Sequence, residues 1–172
     1  MPPPSSPLSA TPLLGHSPCV CASPATRLIE LPDLAATESL AAAVAARARP
    51  GDAILLEGPL GAGKTAFARA FLRAASADPS LEVPSPSFTL VQSYDTRIGT
   101  VHHFDLWRIA DPSALHELGW DAARSDIVLL EWPERLGALR PASALTVALH
   151  LIGDTQRRAV LSGWPDRLSR IA

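Results

Sequence analysis

At 172 residues, with 47% hydrophobic and 19% charged side chains, the chain has the size and composition of one globular domain with a real core. No stretch reaches the ~20 uninterrupted apolar residues of a membrane-spanning helix, which excludes a membrane role. A formal net charge of -2 excludes the basic excess that holds nucleic acid through counterion release, so no direct DNA binding is expected and any RNA must be held by a partner.

Residues 1–26 contain no Lys or Arg, and Pro2, Pro3, Pro4, Pro7, Pro12, Pro18 and Pro24 interrupt every apolar run. They read as a disordered Pro-rich extension and not as a signal peptide. Cys19 and Cys21, one residue apart, match neither a redox pair nor a zinc site, which suits tail thiols in a reduced, cytoplasmic compartment.

The ordered part begins with the apolar stretch 27–31, ended by Pro32. An Ala-rich helix is predicted over 37–49, with Glu38 in its first turn and Arg47 and Arg49 in its last, matching the helix dipole. Pro50-Gly51-Asp52 breaks it, and 53–57 is a short apolar run expected of a buried strand. Gly58 opens a loop, and 65–75 carries Phe67, Phe71 and Leu72 at helical spacing, with Arg69 and Arg73 on another face.

Strands over 88–94 and 100–107, joined by Asp95-Thr96-Arg97-Ile98-Gly99, predict an antiparallel hairpin. Asp111-Pro112 reads as an N-cap with proline at the first helical position, starting a short helix through Leu118 that Gly119 stops. Residues 127–130 form another buried strand, ending at Glu131. A hairpin of 145–152 and 157–162 about Gly153-Asp154 closes the chain and is expected to add antiparallel strands.

Gly58-Pro59-Leu60-Gly61-Ala62-Gly63-Lys64-Thr65 matches G-x-x-x-x-G-K-[ST] at every fixed position, between a predicted strand and a predicted helix. A phosphate chain needs many short-range donors. Glycines let backbone N–H groups close around it, and the helix start presents a positive dipole end. Lys64 adds a mobile ammonium and Thr65 a hydroxyl for magnesium. Lys64 is also the only lysine of the chain, every other basic side chain being arginine.

A P-loop needs an acid for the magnesium shell, normally at the end of a neighbouring buried strand. Glu131 and Asp105 both qualify. His102 and His103 invite a metal reading, but adjacent strand residues point to opposite faces. The chain has no asparagine and no second lysine, so the Asn-Lys-x-Asp loop by which GTPases read guanine is absent. An adenine nucleotide is favoured. A small-molecule kinase or a nucleotide-gated adaptor shares the P-loop, but no arginine-rich lid segment follows the core.

Beyond the P-loop, the order Val83-Pro84-Ser85-Pro86-Ser87-Phe88-Thr89-Leu90-Val91, His103-Phe104-Asp105-Leu106-Trp107-Arg108, Leu118-Gly119 and Glu131-Trp132-Pro133-Glu134 resembles the TsaE family, also called YjeE. The resemblance runs from Arg27 to Ser162. It implies an α/β fold, a single P-loop NTPase-like domain over 27–172 with a mixed parallel/antiparallel central sheet flanked by helices.

It also implies magnesium-dependent ATP hydrolysis in the service of threonylcarbamoyladenosine synthesis on tRNA, with TsaB and TsaD as partners and tRNA reached indirectly through them. The family's cofactors are ATP and Mg2+. Carried over by residue, nucleotide contacts fall to Pro59, Leu60, Gly61, Ala62, Gly63, Lys64, Thr65 and Ala66, with Trp132 near the adenine. Lys64 grips the terminal phosphates, Thr65 and Glu131 hold magnesium, and Asp105 serves hydrolysis as ligand or water-positioning group. Residues 85–89 become a switch-like segment facing the γ-phosphate. Ser87 stands where the family has Thr and keeps the hydroxyl, whereas Trp107 stands where the family has Tyr and loses one.

Overall fold

The computed structural model describes residues 26–171, so the expectations for the lead before Thr26, including Cys19 and Cys21, lie outside the described residues. Thr26 itself opens the first strand. Seven strands, β1 (Thr26–Leu31), β2 (Ala53–Glu57), β3 (Val91–Thr96), β4 (Gly99–Asp105), β5 (Ile127–Glu131), β6 (Leu145–Leu151) and β7 (Arg157–Ser162), form one sheet in the order β1-β7-β6-β2-β5-β4-β3. The centre is parallel, β6, β2, β5 and β4 running together, while β1, β7 and β3 join antiparallel. The sheet is mixed and flanked by helices, as expected.

Because strand side chains alternate, the sheet feeds two cores. On one face Ile54, Leu56, Leu129 and Val147 pack with Leu40 and Val44 of α1 (Leu34–Ala45) and Phe67, Phe71 and Leu72 of α2 (Lys64–Ser76). On the other, Leu55, Val128, Leu130 and Phe104 meet Leu115 of α3 (Ala114–Glu117), Trp120 of α4 (Trp120–Ala123) and Leu136 of the 3-10 stretch Pro133–Leu139. Phe104 and Trp120 meet edge to face, centroids 5.6 Å apart. Trp164, Leu168 and Ile171 pack on the first core, beyond the span of the motif resemblance.

Four local expectations are corrected. Helix α1 starts earlier, at Leu34, because the Asp33 carboxylate accepts the Ala36 N–H at 2.8 Å. It ends at Ala45, so Glu38 lies outside the first turn and Arg47 and Arg49 outside the last, although Arg47 reaches back to the Ala43 carbonyl at 2.8 Å. Residues 88–90 are not strand, since Leu90 takes φ 65° and donates to the Pro86 carbonyl at 2.6 Å. The β3–β4 turn is the short Arg97-Ile98 link, because Asp95 and Thr96 already pair with Thr100 and Gly99 across the hairpin.

Asp111 caps a turn by accepting from the Ser113 N–H at 2.9 Å, and the helix that follows is only Ala114–Glu117, with the unforeseen α4 after Gly119. Finally, the closing hairpin is antiparallel within itself, but β6 joins β2 in parallel. A chain leaving β5 can reach the far side of β2 through 133–144 without reversing the strand direction.

Candidate active site

Strand β2 delivers the loop 58–63 to the C-terminal edge of the sheet. There the chain turns by left-handed backbone at Gly58, Gly61 and Gly63, with φ 138°, 78° and 103°. At Gly58 the need for glycine is also steric, since a Cβ would stand 2.5 Å from the Leu149 carbonyl oxygen of β6. Gly63 is the N-cap of α2 and supplies no side-chain cap, which leaves first-turn N–H groups available to an anion.

Lys64 is 5% exposed. Its Nζ donates to the carbonyls of Gly58 at 2.7 Å and Pro59 at 2.9 Å and sits 3.6 Å from the centre of the Trp132 ring. Burial pulls its pKa below the ordinary lysine value, against the opposing pull of Glu131, Glu134 and Asp105. The ammonium is thus held by its own loop carbonyls and an indole face.

The two candidate acids arrive side by side because β4 and β5 are parallel neighbours whose register pairs Asp105 with Glu131. Both are buried, at 4% and 2% exposed. Glu131 Oε2 accepts from the Thr65 hydroxyl at 3.0 Å, which brings the end of β5 onto the first turn of α2. Glu131 Oε1 lies 3.1 Å from His103 Nε2. Asp105 instead faces the 85–87 segment: Oδ2 accepts from Ser87 at 2.8 Å and Ser85 at 3.2 Å, and Oδ1 from the Trp107 N–H at 3.0 Å. A hydroxyl and a carboxylate oxygen in contact are the hard oxygen donors that magnesium takes when it arrives with a phosphate chain, so the residues fit that ion.

The cavity between these groups measures about 460 Å³ and is lined by the loop residues Leu60, Gly61 and Gly63, by Lys64, Thr65 and Ala66 of α2, and by Ser85, Ser87, Asp105, Trp107, Arg108, Glu131 and Trp132. Of the expected contacts, Pro59 and Ala62 do not line it; Pro59 offers its carbonyl to Lys64, and Ala62 is buried. Trp132 takes left-handed backbone, φ 64°, and tilts against Trp107 with ring centres 4.4 Å apart. Its face is directed at the Lys64 ammonium, the phosphate end of the loop. Arg108 lies 4.5 Å over the Phe88 ring, which is 81% exposed.

Sequence reasoning did not assign His103 to the site, nor the contact of Trp107 with Trp132. Alternation along β4 was the available signal for His103, because His103 and Asp105 share a face two residues apart. His102, on the opposite face, bonds Ser93 Oγ at 2.8 Å and Asp126 at 3.1 Å instead.

Residues 31–160 match the family model of the threonylcarbamoyl adenosine biosynthesis protein TsaE. The chain is 37% identical over 122 residues to the tRNA threonylcarbamoyladenosine biosynthesis protein TsaE of Rickettsia bellii, covering 70% of this chain and 84% of that one. It is 32% identical over 133 residues to the Bacillus subtilis protein of the same name, covering 76% and 82%. The crystal structure of YdiB from Bacillus subtilis is similar in fold, with TM-score 0.71 at 24% identity over 87% of this chain and 93% of that one. Among the described residues, no helix is long and apolar enough to cross a membrane.

Proposed function

This chain belongs to the TsaE family of threonylcarbamoyladenosine biosynthesis, and from that premise we propose that it is a cytoplasmic, magnesium-dependent ATPase that cycles a TsaB–TsaD complex during tRNA modification. The observation that carries the reading is the convergence of Lys64, Thr65, Asp105 and Glu131 on one cavity at the mouth of a P-loop.

In this reading the backbone of 59–66 cradles the phosphates of ATP, and Lys64 leaves the Gly58 and Pro59 carbonyls to grip the terminal ones. Thr65 and Glu131 hold magnesium, which supplies neutralising charge on the transferred phosphoryl group. Asp105 aligns the attacking water, and the serines it already holds, Ser85 and Ser87, bring the switch-like segment to the γ-phosphate. Trp132 covers Lys64 and, with Trp107 against it, forms the aromatic wall of the cavity on which the nucleotide rests.

Turnover by the chain alone is slow, because Arg108, an arginine lining the cavity, rests on Phe88. A partner that moves it, or adds its own cation, accelerates hydrolysis. With a net charge of -2, the chain reaches tRNA only through the complex.

The test is the amount of threonylcarbamoyladenosine formed per TsaD in a purified system of tRNA, TsaB and preformed threonylcarbamoyl-adenylate. Adding this chain with magnesium and ATP turns one round into many, and Lys64→Ala does not. An unchanged yield removes the tRNA role and leaves phosphate transfer to a metabolite as the next activity to assay.

A further inference from the structure

The Glu131 carboxylate is bonded at both oxygens, by Thr65 at Oε2 and by His103 at Oε1. The two donors stand differently. Thr65 lines the cavity, and its hydroxyl is a group that a cation competes for; His103 does not line the cavity and is 0% exposed. The position of His103 follows from the sheet: in the β4–β5 ladder it pairs with Leu129 while Asp105 pairs with Glu131, so its ring and the Glu131 side chain share a face one step apart.

A carboxylate only accepts, so the Nε2 contact requires the ring proton at Nε2, which in a neutral imidazole leaves Nδ1 as a lone pair. Nδ1 is buried without a hydrogen-bond partner among the described residues. An unpaired buried ring nitrogen costs stability that a phenylalanine or leucine in the same slot avoids. What the histidine provides in return is one directional N–H aimed at Glu131.

We propose that His103 is a positioning residue: its Nε2–H holds one Glu131 oxygen against the sheet and thereby aims the other at Thr65 and at the divalent cation that arrives with the nucleotide. This rests on the reading of Glu131 as a magnesium ligand. Hydrogen bonds of this outer kind orient a ligating carboxylate, and their loss typically weakens metal binding by about 10–100-fold.

The test uses the full chain with a non-hydrolysable ATP analogue and manganese(II) as a spin probe for the cation, in wild type, His103→Phe, His103→Leu and His103→Gln. A second titration measures ATP affinity in EDTA, and melting temperature monitors the fold. In the apolar variants manganese affinity falls about 10–100-fold while metal-free ATP affinity stays within about twofold. His103→Gln, which keeps an N–H donor, recovers most of the loss, and adding His103→Phe to Glu131→Gln weakens the metal no further.

Manganese affinity within about twofold of wild type in either apolar variant overturns the proposal. So does an equal fall in metal-free ATP affinity, or a glutamine variant no better than the phenylalanine one. A Glu131→Gln chain that binds manganese as well as wild type removes the ligand reading beneath it, a result separate from any of these.

Discussion

The Thr65 hydroxyl and the Glu131 carboxylate, 66 residues apart in the chain, meet at 3.0 Å. Each sits at the end of an element, Thr65 in the first turn of α2 and Glu131 at the end of β5, and each element is anchored on the β2 strand, one through the loop it continues into and one through direct pairing. The hydroxyl–carboxylate pair is thus a rigid product of the parallel core.

Removing that carboxylate separates metal use from nucleotide grip. Glu131→Gln lowers magnesium-dependent ATP hydrolysis by about 100-fold, the scale of losing one preorganised transition-state contact, while ATP affinity in EDTA changes little. Single-turnover hydrolysis beside a metal-free binding titration reads both; equal losses in the two would place Glu131 in phosphate binding instead.

Lys64 sets a pH dependence of binding. Burial holds its folded-state pKa below 10.5, and bound polyphosphate, by adding negative charge, raises it again. Below the lowered value the lysine is charged in both states; above it, binding must take up a proton, so affinity falls as pH rises through that window. For folding the sign is opposite: the unfolded chain holds the proton more tightly, so the cost of a buried ammonium is present below the lowered pKa and fades as pH approaches 10.5. Calorimetry of ATP binding as pH is raised toward 10.5, in buffers of different ionisation enthalpy, shows proton uptake; identical heats in all buffers refute it.

Asp105 organises the 85–87 segment through charge-assisted bonds from Ser85 and Ser87. Asp105→Ala keeps ATP affinity within about threefold yet abolishes multiple-turnover tRNA modification, and amide exchange across residues 85–90 speeds up by about tenfold, a loss of roughly 1–2 kcal/mol of local protection. A variant that still supports tRNA modification favours the nucleotide-gated adaptor.

Two glycines differ in what they protect. Gly58→Ala and Gly163→Ala each drive a Cβ into a carbonyl oxygen, of Leu149 at 2.5 Å and of Ala144 at 2.3 Å, at backbone that strains any side chain. Both lower stability by about 2 kcal/mol or more. Only Gly58→Ala also weakens ATP binding at temperatures where the folded fraction matches wild type, because only it distorts the phosphate loop; comparable affinity losses in both would assign the effect to stability alone.

Arg167 ties the C-terminal segment to the start of β2. It donates to both Asp52 carboxylate oxygens, at 2.6 and 2.7 Å, and to the Arg47 carbonyl at 2.8 Å, and lies 3.9 Å over Trp164. The Arg167 and Asp52 side chains are 22% and 14% exposed, enough shielding for the pair to matter. Arg167→Ala lowers stability by about 1–2 kcal/mol, read as a urea midpoint shift with no change in ATP affinity. An unchanged midpoint would make the contact one of the many ion pairs without measurable effect.

The conformation of the glycine-rich loop was legible in the sequence because it is local: Gly58, Gly61, Gly63, Lys64 and Thr65 are neighbours in the chain, and a strand before them and a helix after them leave little freedom. The same holds for β2 and β5, whose uninterrupted apolar runs require burial on both faces. Even the acids Asp105 and Glu131 could be named from where those runs end. What needed the tertiary structure was everything that depends on which strand lies beside which. The parallel entry of β6, the contact of His103 with Glu131 and the seat of Trp132 on Lys64 arise from register and crossover, and no spacing along the chain encodes a distance between side chains carried by different elements. The left-handed turns at Leu90 and Trp132 were hidden for the same reason: non-glycine residues adopt such backbone only when surrounding contacts hold them there.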